Sequence, residues 1–77
     1  MKELKLFIMK TCPFCQKVER YMKENNISIE VADIKEDPKS KEELIEQGGK
    51  VQVPMLLIDE KPLYESNDII DWLKENS

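Results

Sequence analysis

Cys12-Pro13-Phe14-Cys15 is the place in this chain where residue types and spacing combine into chemistry. Two thiols separated by two residues meet when they sit on the first turn of a helix. The unpaired N–H groups and the dipole of that helix end favour negative charge. The thiolate is the nucleophile, so Cys12, at the start of the turn, is expected to ionise more readily than free cysteine. A downward shift of one unit corresponds to about 1.4 kcal/mol of differential stabilisation. Lys10, two residues upstream, adds positive charge to the same region. Cys15 lies one turn deeper and is expected to be more buried and less ionised. This asymmetry assigns roles: Cys12 attacks or is attacked, and Cys15 resolves. Pro13 removes an N–H and stiffens the turn. The same spacing also serves an unreactive thiol pair, or half of a zinc site shared between two chains.

Composition narrows the choice. There is no His, which removes His-based acid–base catalysis, His-containing triads and His metal sites. Two Cys cannot complete a four-ligand zinc site alone, nor the multi-bridge framework of a secreted mini-protein. Twelve basic against sixteen acidic residues give a net charge of −4, which argues against nucleic acid or an anionic membrane as partner. No apolar run is long enough to span a bilayer. The start, MKELKLFIMK, has no apolar core and no small-residue cleavage site, so it does not read as a signal peptide. A cytoplasmic protein is therefore expected, in a reducing compartment where a close Cys pair is reactive rather than structural. Leu, Ile, Val and Phe make up 21 of 77 residues, enough for a folded core. The length suits one domain, residues 1–77.

The elements that must position the thiols can be read along the chain. LKLFIM (Leu4–Met9) is a short apolar run and reads as a buried strand. Thr11-Cys12-Pro13 opens a helix, with Pro suited to its first turn. Phe14, Val18, Tyr21 and Met22 share one helical face, and Asn25-Asn26 ends it. Ile27, Ile29 and Val31 alternate with polar residues and suggest a second strand. Asp37-Pro38 breaks the chain. Ser40 and Glu43 then form a capping-box pattern for a short helix carrying Leu44 and Ile45, stopped by Gly48-Gly49. Met55–Ile58 reads as a third strand, Asp59-Glu60-Lys61 as a turn, and Leu63 as the centre of a brief edge strand. Ser66-Asn67 supplies cap chemistry for a last helix with Ile69, Ile70, Trp72 and Leu73 facing inward. The order is β-α-β-α-β-β-α. Strands one and two should be parallel, the last two antiparallel, in a four-stranded mixed sheet with three helices covering both faces. Trp72, Tyr21 and Met9, Met22 and Met55 read as packing residues.

On Cys12-Pro13-Phe14-Cys15 after LKLFIM, Val53-Pro54 before MLLID, and the Ser66-Asn67-Asp68-Ile69 segment, the chain resembles the glutaredoxins, of the thioredoxin fold. The similarity covers essentially the whole chain. It implies an α/β, thioredoxin-like fold and glutathione-dependent thiol–disulfide exchange, with glutathione as reducing co-substrate and no metal required. Cys12 matches the family's nucleophile, which carries a mixed disulfide resolved by glutathione or by Cys15. Val53 matches the residue whose backbone pairs with the cysteinyl part of glutathione, and Pro54 the cis proline beside the active site. Ser66 and Asn67 match the holders of the γ-glutamyl carboxylate, with Asp68 near the ammonium. Lys10 corresponds to the upstream cation for the glycine carboxylate, with Lys50 as a substitute. The implied partners are glutathione, disulfide-containing or glutathionylated proteins and, indirectly, the glutathione reductase system, for a protein acting as a monomer. A relative reduced by thioredoxin reductase, and a dimer holding an iron–sulfur cluster through Cys12 and two glutathiones, remain open.

The chain departs from the family pattern at named positions. Phe14 stands where Tyr is usual, and Gln52 where Thr often precedes Val-Pro. Lys10 is two rather than three residues before the nucleophile. The family's Gly-Gly before the γ-glutamyl site is Tyr64-Glu65. Glu65-Ser66 looks more like the corresponding segment of glutathione transferase N-terminal domains. The chain is too short to add that enzyme's helical second domain, so a transferase is not expected.

Overall fold

Leu4–Ile8 forms β1, and its apolar run follows from a central place in the sheet. The computed structural model describes residues 3–76, so residues 1, 2 and 77 of the expected 1–77 span lie outside the described residues. The sheet runs, edge to edge, Glu30–Asp33 (β2), β1, Met55–Ile58 (β3) and Lys61–Tyr64 (β4). β1 pairs with β2 in parallel, and β3 is antiparallel to both β1 and β4. This is the thioredoxin-like arrangement.

Side chains alternate across β1 and feed two cores. Leu6 and Ile8 pack with Cys15, Val18 and Met22 of helix α1 (Pro13–Glu24) and with Ile69 and Leu73 of helix α3 (Ser66–Asn76). Phe7 packs on the other face with Met55, Leu57 and Leu44 of helix α2 (Pro38–Gly48). Each such fully buried side chain contributes about 1.5–3 kcal/mol relative to leaving it in water. Lys5, on the Phe7 face, ends in an ion pair with Glu43 of α2 at 2.6 Å and Glu30 of β2 at 3.4 Å. Tyr21 and Trp72 are half-buried against the first core, as their reading as packing residues requires.

Four local expectations are corrected. Phe14 was placed on the inward face of α1, but it is 63% exposed. The buried stripe is Cys15, Val18 and Met22, one residue out of phase with Phe14 in the first turn. The second strand begins at Glu30 rather than Ile27. Ile27 and Ile29 pack on the first core from the loop before it, while Val31 is exposed on an edge strand. The S-x-x-E pattern does not cap α2. Asp37 does, accepting the Lys39 N–H at 3.1 Å, and the Ser40 hydroxyl donates to the same carboxylate at 2.9 Å. Asp37 wins because Pro38 behind it needs no N–H partner at the first helical position. Ile45 lies exposed, leaving Leu44 as the buried apolar residue of α2. Gly49 ends that helix at φ 78°, where Gly carries no Cβ penalty.

The turn between β3 and β4 places Asp59 and Glu60 at φ 46° and 73°, the twist a two-residue hairpin requires. Asp59 also accepts the Glu3 N–H at 2.7 Å. At the C-terminal end of α2, a Cβ on Gly48 would run into the Tyr64 hydroxyl. That hydroxyl is buried with no hydrogen-bond partner among the described residues. Tyr64→Phe is therefore expected to leave stability unchanged or to raise it, by up to about 1 kcal/mol. Gly48→Ala should lose about 1–3 kcal/mol through overpacking, and less in the Tyr64→Phe background. Urea unfolding of the four chains measures both effects; equal losses in the two backgrounds would count against the collision.

Candidate active site

Cys12 is the N-cap of α1, with β-region backbone at φ −84° and ψ 120°. Its own N–H is taken by the Met9 carbonyl at 3.0 Å, and its carbonyl accepts the Gln16 N–H at 3.0 Å. Pro13 has no N–H. The open donors of the first turn are thus those of Phe14 and Cys15. In this conformation Sγ closes no cap hydrogen bond, but these two donors face it and favour its anion. Partial burial pushes the Cys12 pKa up; the Cys15 N–H, the Cys15 thiol and the Phe14 N–H together outweigh that and leave it lowered.

Cys15 is fully buried in the first core. Burial pushes its thiol up, the Met9 N–H at 3.5 Å pulls back, and the neighbouring Cys12 and Glu19 charges push further, to about 12. Both thiols are free rather than bridged. The fold thus splits the two sulfurs into an ionisable half-buried one and a protonated buried one.

Lys10, expected to add positive charge near Cys12, pairs its ammonium with Glu36 at 2.9 Å, and the lowering at Cys12 is carried by N–H groups and the Cys15 thiol. The Lys10 backbone still shapes the site. Its N–H donates to Asp33 at 3.2 Å, and its carbonyl accepts from Gln16 Nε2 at 2.8 Å. Asp33 also accepts the Lys35 and Glu36 N–H groups at 2.8 and 3.2 Å, so one carboxylate ties the loop before Cys12 to the end of β2. Its pKa is pushed up by the little desolvation it has, but the three N–H donors and Lys10 bring it below the ordinary value. Asp33 was missed from the sequence, where an Asp after EVA carries no signal of that reach.

A cavity of about 260 Å³ is lined by Phe14, which stands between the two cysteines in sequence, and by Gln52, Val53, Pro54, Glu65, Ser66 and Asn67. Four of the expected glutathione-site residues, Val53, Pro54, Ser66 and Asn67, therefore meet around one space, while Lys10 is not among its walls. The Val53–Pro54 bond is cis. Ser66 is buried at the first turn of α3, where N–H groups open towards solvent, and Asp68 follows in the same turn. Glu65, just before it, has φ 71°. That left-handed backbone is one Gly adopts without penalty, and here a non-Gly residue holds it. Lys50 stacks on the Tyr64 ring at 4.6 Å from its centroid. A larger hollow of about 670 Å³, between the C-terminal end of α1 and α3, contains Tyr21, Ile27 and Trp72 but neither cysteine. Among the described residues no group of three or more His, Cys, Asp or Glu is placed to hold a metal, and no helix is long and apolar enough to cross a membrane.

Cys12 should be alkylated by iodoacetamide with a pH midpoint below that of free cysteine, while Cys15 stays unmodified until the chain is unfolded. The linkage signs differ between the two. Cys12, lowered on folding, contributes stability present above its unfolded pKa and lost as pH falls through the folded one. Cys15 keeps its proton in the folded state up to about 12, whereas the unfolded chain releases it near 9.0. Folded protein binds more protons across that window, so stability falls as pH rises through it. Urea melts of the reduced protein across the alkaline range should show this slope, and Cys15→Ser should flatten it.

Residues 6–77 match the family described as the glutathione S-transferase N-terminal domain. A glutaredoxin-like 8.6 kDa protein from the rubredoxin operon of Clostridium pasteurianum is 32% identical over 56 residues, 73% of this chain and 75% of that protein. Glutaredoxin 3 of Escherichia coli K12 is 23% identical over 69 residues, covering 90% and 83% of the two chains. The crystal structure of a glutaredoxin from Archaeoglobus fulgidus superposes with a TM-score of 0.74 at 21% identity, over 96% of this chain and 88% of the other. With the sheet order and the placement of Cys12 described above, these matches show that the chain belongs to the glutathione S-transferase N-terminal-domain family, as a glutaredoxin-type protein of the thioredoxin fold.

Proposed function

We propose that this thiol oxidoreductase is glutathione-dependent and reduces protein disulfides and glutathione mixed disulfides, as a cytoplasmic monomer. The observation that carries this reading is the division of labour between the sulfurs: an ionisable Cys12 at a helix start over a protonated, buried Cys15. The Cys12 thiolate attacks the glutathione sulfur of a glutathionylated protein. The protein–glutathione S–S bond breaks, and the protein leaves as a thiolate that takes a proton from water. A Cys12–glutathione disulfide remains. Either a second glutathione thiolate attacks it, releasing oxidised glutathione, or Cys15 does, releasing glutathione and leaving a Cys12–Cys15 disulfide. Loss of the Cys12 charge in the mixed disulfide removes two of the influences that keep Cys15 protonated. Its burial remains and still opposes its ionisation.

Recognition of glutathione falls to the residues around the 260 Å³ cavity. The Val53 backbone pairs with the cysteinyl unit beside Pro54, and Ser66 and Asn67 take the γ-glutamyl carboxylate at the start of α3, where N–H groups favour an anion. None of these steps calls on a metal. The Lys10–Glu36 pair favours a second reading, reduction by thioredoxin reductase, because it occupies the cation expected for the glycine carboxylate.

Coupled reduction of a small glutathione mixed disulfide, with glutathione reductase and NADPH, tests the proposal. Cys12→Ser should abolish turnover, and Cys15→Ser should keep most of the deglutathionylation activity. Turnover surviving in Cys12→Ser would refute the assignment. Faster reduction of the oxidised protein by thioredoxin reductase than by glutathione would favour the second reading.

A further inference from the structure

Lys17 lies on the exposed side of α1, where a lysine ordinarily ends in solvent. Here its Nζ reaches across to α3 and donates to Asn67 Oδ1 at 2.5 Å, between residues 50 apart in sequence. Asn67 belongs to the wall of the cavity that Phe14, Val53 and Pro54 also line. The partner is a neutral amide, so the ammonium keeps its charge unneutralised. The other cations near this end of the molecule are engaged: Lys10 with Glu36, and Lys50 on the Tyr64 ring. Among the described residues, no carboxylate lies within ion-pair distance of Lys17. In a chain of net charge −4, with Glu65 in the cavity wall, an uncompensated cation is held against Asn67, a wall residue in the first turn of α3, where N–H groups lack helix partners.

We infer that Lys17 is a positioning residue for the free carboxylate at the γ-glutamyl end of glutathione, with Asn67 holding the ammonium in place before the ligand arrives. The inference rests on the glutathione reading above. A carboxylate at the start of α3 meets backbone N–H groups from one side and Lys17 from α1 on the other. This contact is charge-assisted and stronger than one to the amide. Lys17 thereby sets specificity: a thiol lacking the γ-glutamyl group gains nothing from it. If the contact to Asn67 were only a strap between α1 and α3, its loss would affect every substrate alike.

The first half-reaction separates these cases without any reductant. Reduced protein is mixed with a peptide carrying a glutathione disulfide, or the same peptide carrying a cysteinylglycine disulfide, and release of the peptide thiol is followed in a single turnover. Wild type should prefer the glutathione substrate. Lys17→Gln should raise the half-saturating concentration for that substrate about three- to tenfold, with the maximal rate little changed and the cysteinylglycine substrate unaffected. Lys17→Arg should restore most of the affinity, and added salt should erode the wild-type preference more than that of Lys17→Gln. If wild type shows no preference, the glutathione reading fails and takes this inference with it. If wild type shows the preference and Lys17→Gln retains it, or slows both substrates equally, the role assigned to Lys17 is wrong while the glutathione reading stands.

Discussion

Two backbone N–H groups, those of Phe14 and Cys15, act with the Cys15 thiol to hold the Cys12 pKa down. They are the donors of the first turn of α1 that neither the backbone nor Pro13 has already removed. Burial alone would make Cys12 a poorer nucleophile than free cysteine. The donors and the Cys15 thiol together reverse that sign. One turn further in, the same helix faces Cys15 with the apolar core, and burial wins. A rise of one helical turn thus separates a half-buried sulfur with a lowered pKa from a buried one with a raised pKa.

The rest of the fold holds that turn still. β1 delivers the chain to Cys12 from the middle of the sheet, buried on both faces between α1 and α3 on one side and α2 on the other. Asp33 and Gln16 tie down the loop that carries Lys10. The cis Val53–Pro54 step and the left-handed Glu65 bring two further segments to the same end of the sheet. Charge is sorted in parallel: Lys5 and Lys10 are engaged by acidic neighbours, while Lys17 meets the Asn67 amide.

Much of this was legible in the residues. The order of elements, the mixed sheet, the inward set Ile69 and Leu73, and the burial of Cys15 follow from hydrophobic period and from the C-x-x-C spacing. The readings that failed did so where two local signals competed. Asp37-Pro38, read as a break, in fact starts the helix that Ser40 and Glu43 were expected to cap. Phe14 fitted a helical stripe by spacing, but the first turn of a helix has only one inward position, and Cys15 holds it. The cavity wall was legible at Val53, Pro54, Ser66 and Asn67 through family resemblance. Lys10 shows why charges were harder to place: a long flexible side chain takes whichever acid the folded surface offers, and Glu36 lies 26 residues away in sequence. Lys17 and Asp33 carry no pattern of their own, since their partners are set by tertiary approach.

The outer strands of the sheet bear on how the protein behaves at the concentrations a cell imposes. A bare strand edge invites another chain to extend the ladder and so begin aggregation. β4 ends the sheet on one side with Pro62, which offers no donor to an incoming strand. β2 ends it on the other with Glu30 and Asp33 at either end of a four-residue strand. Both margins are short and chemically blunted, so the sheet offers a neighbouring chain little to extend.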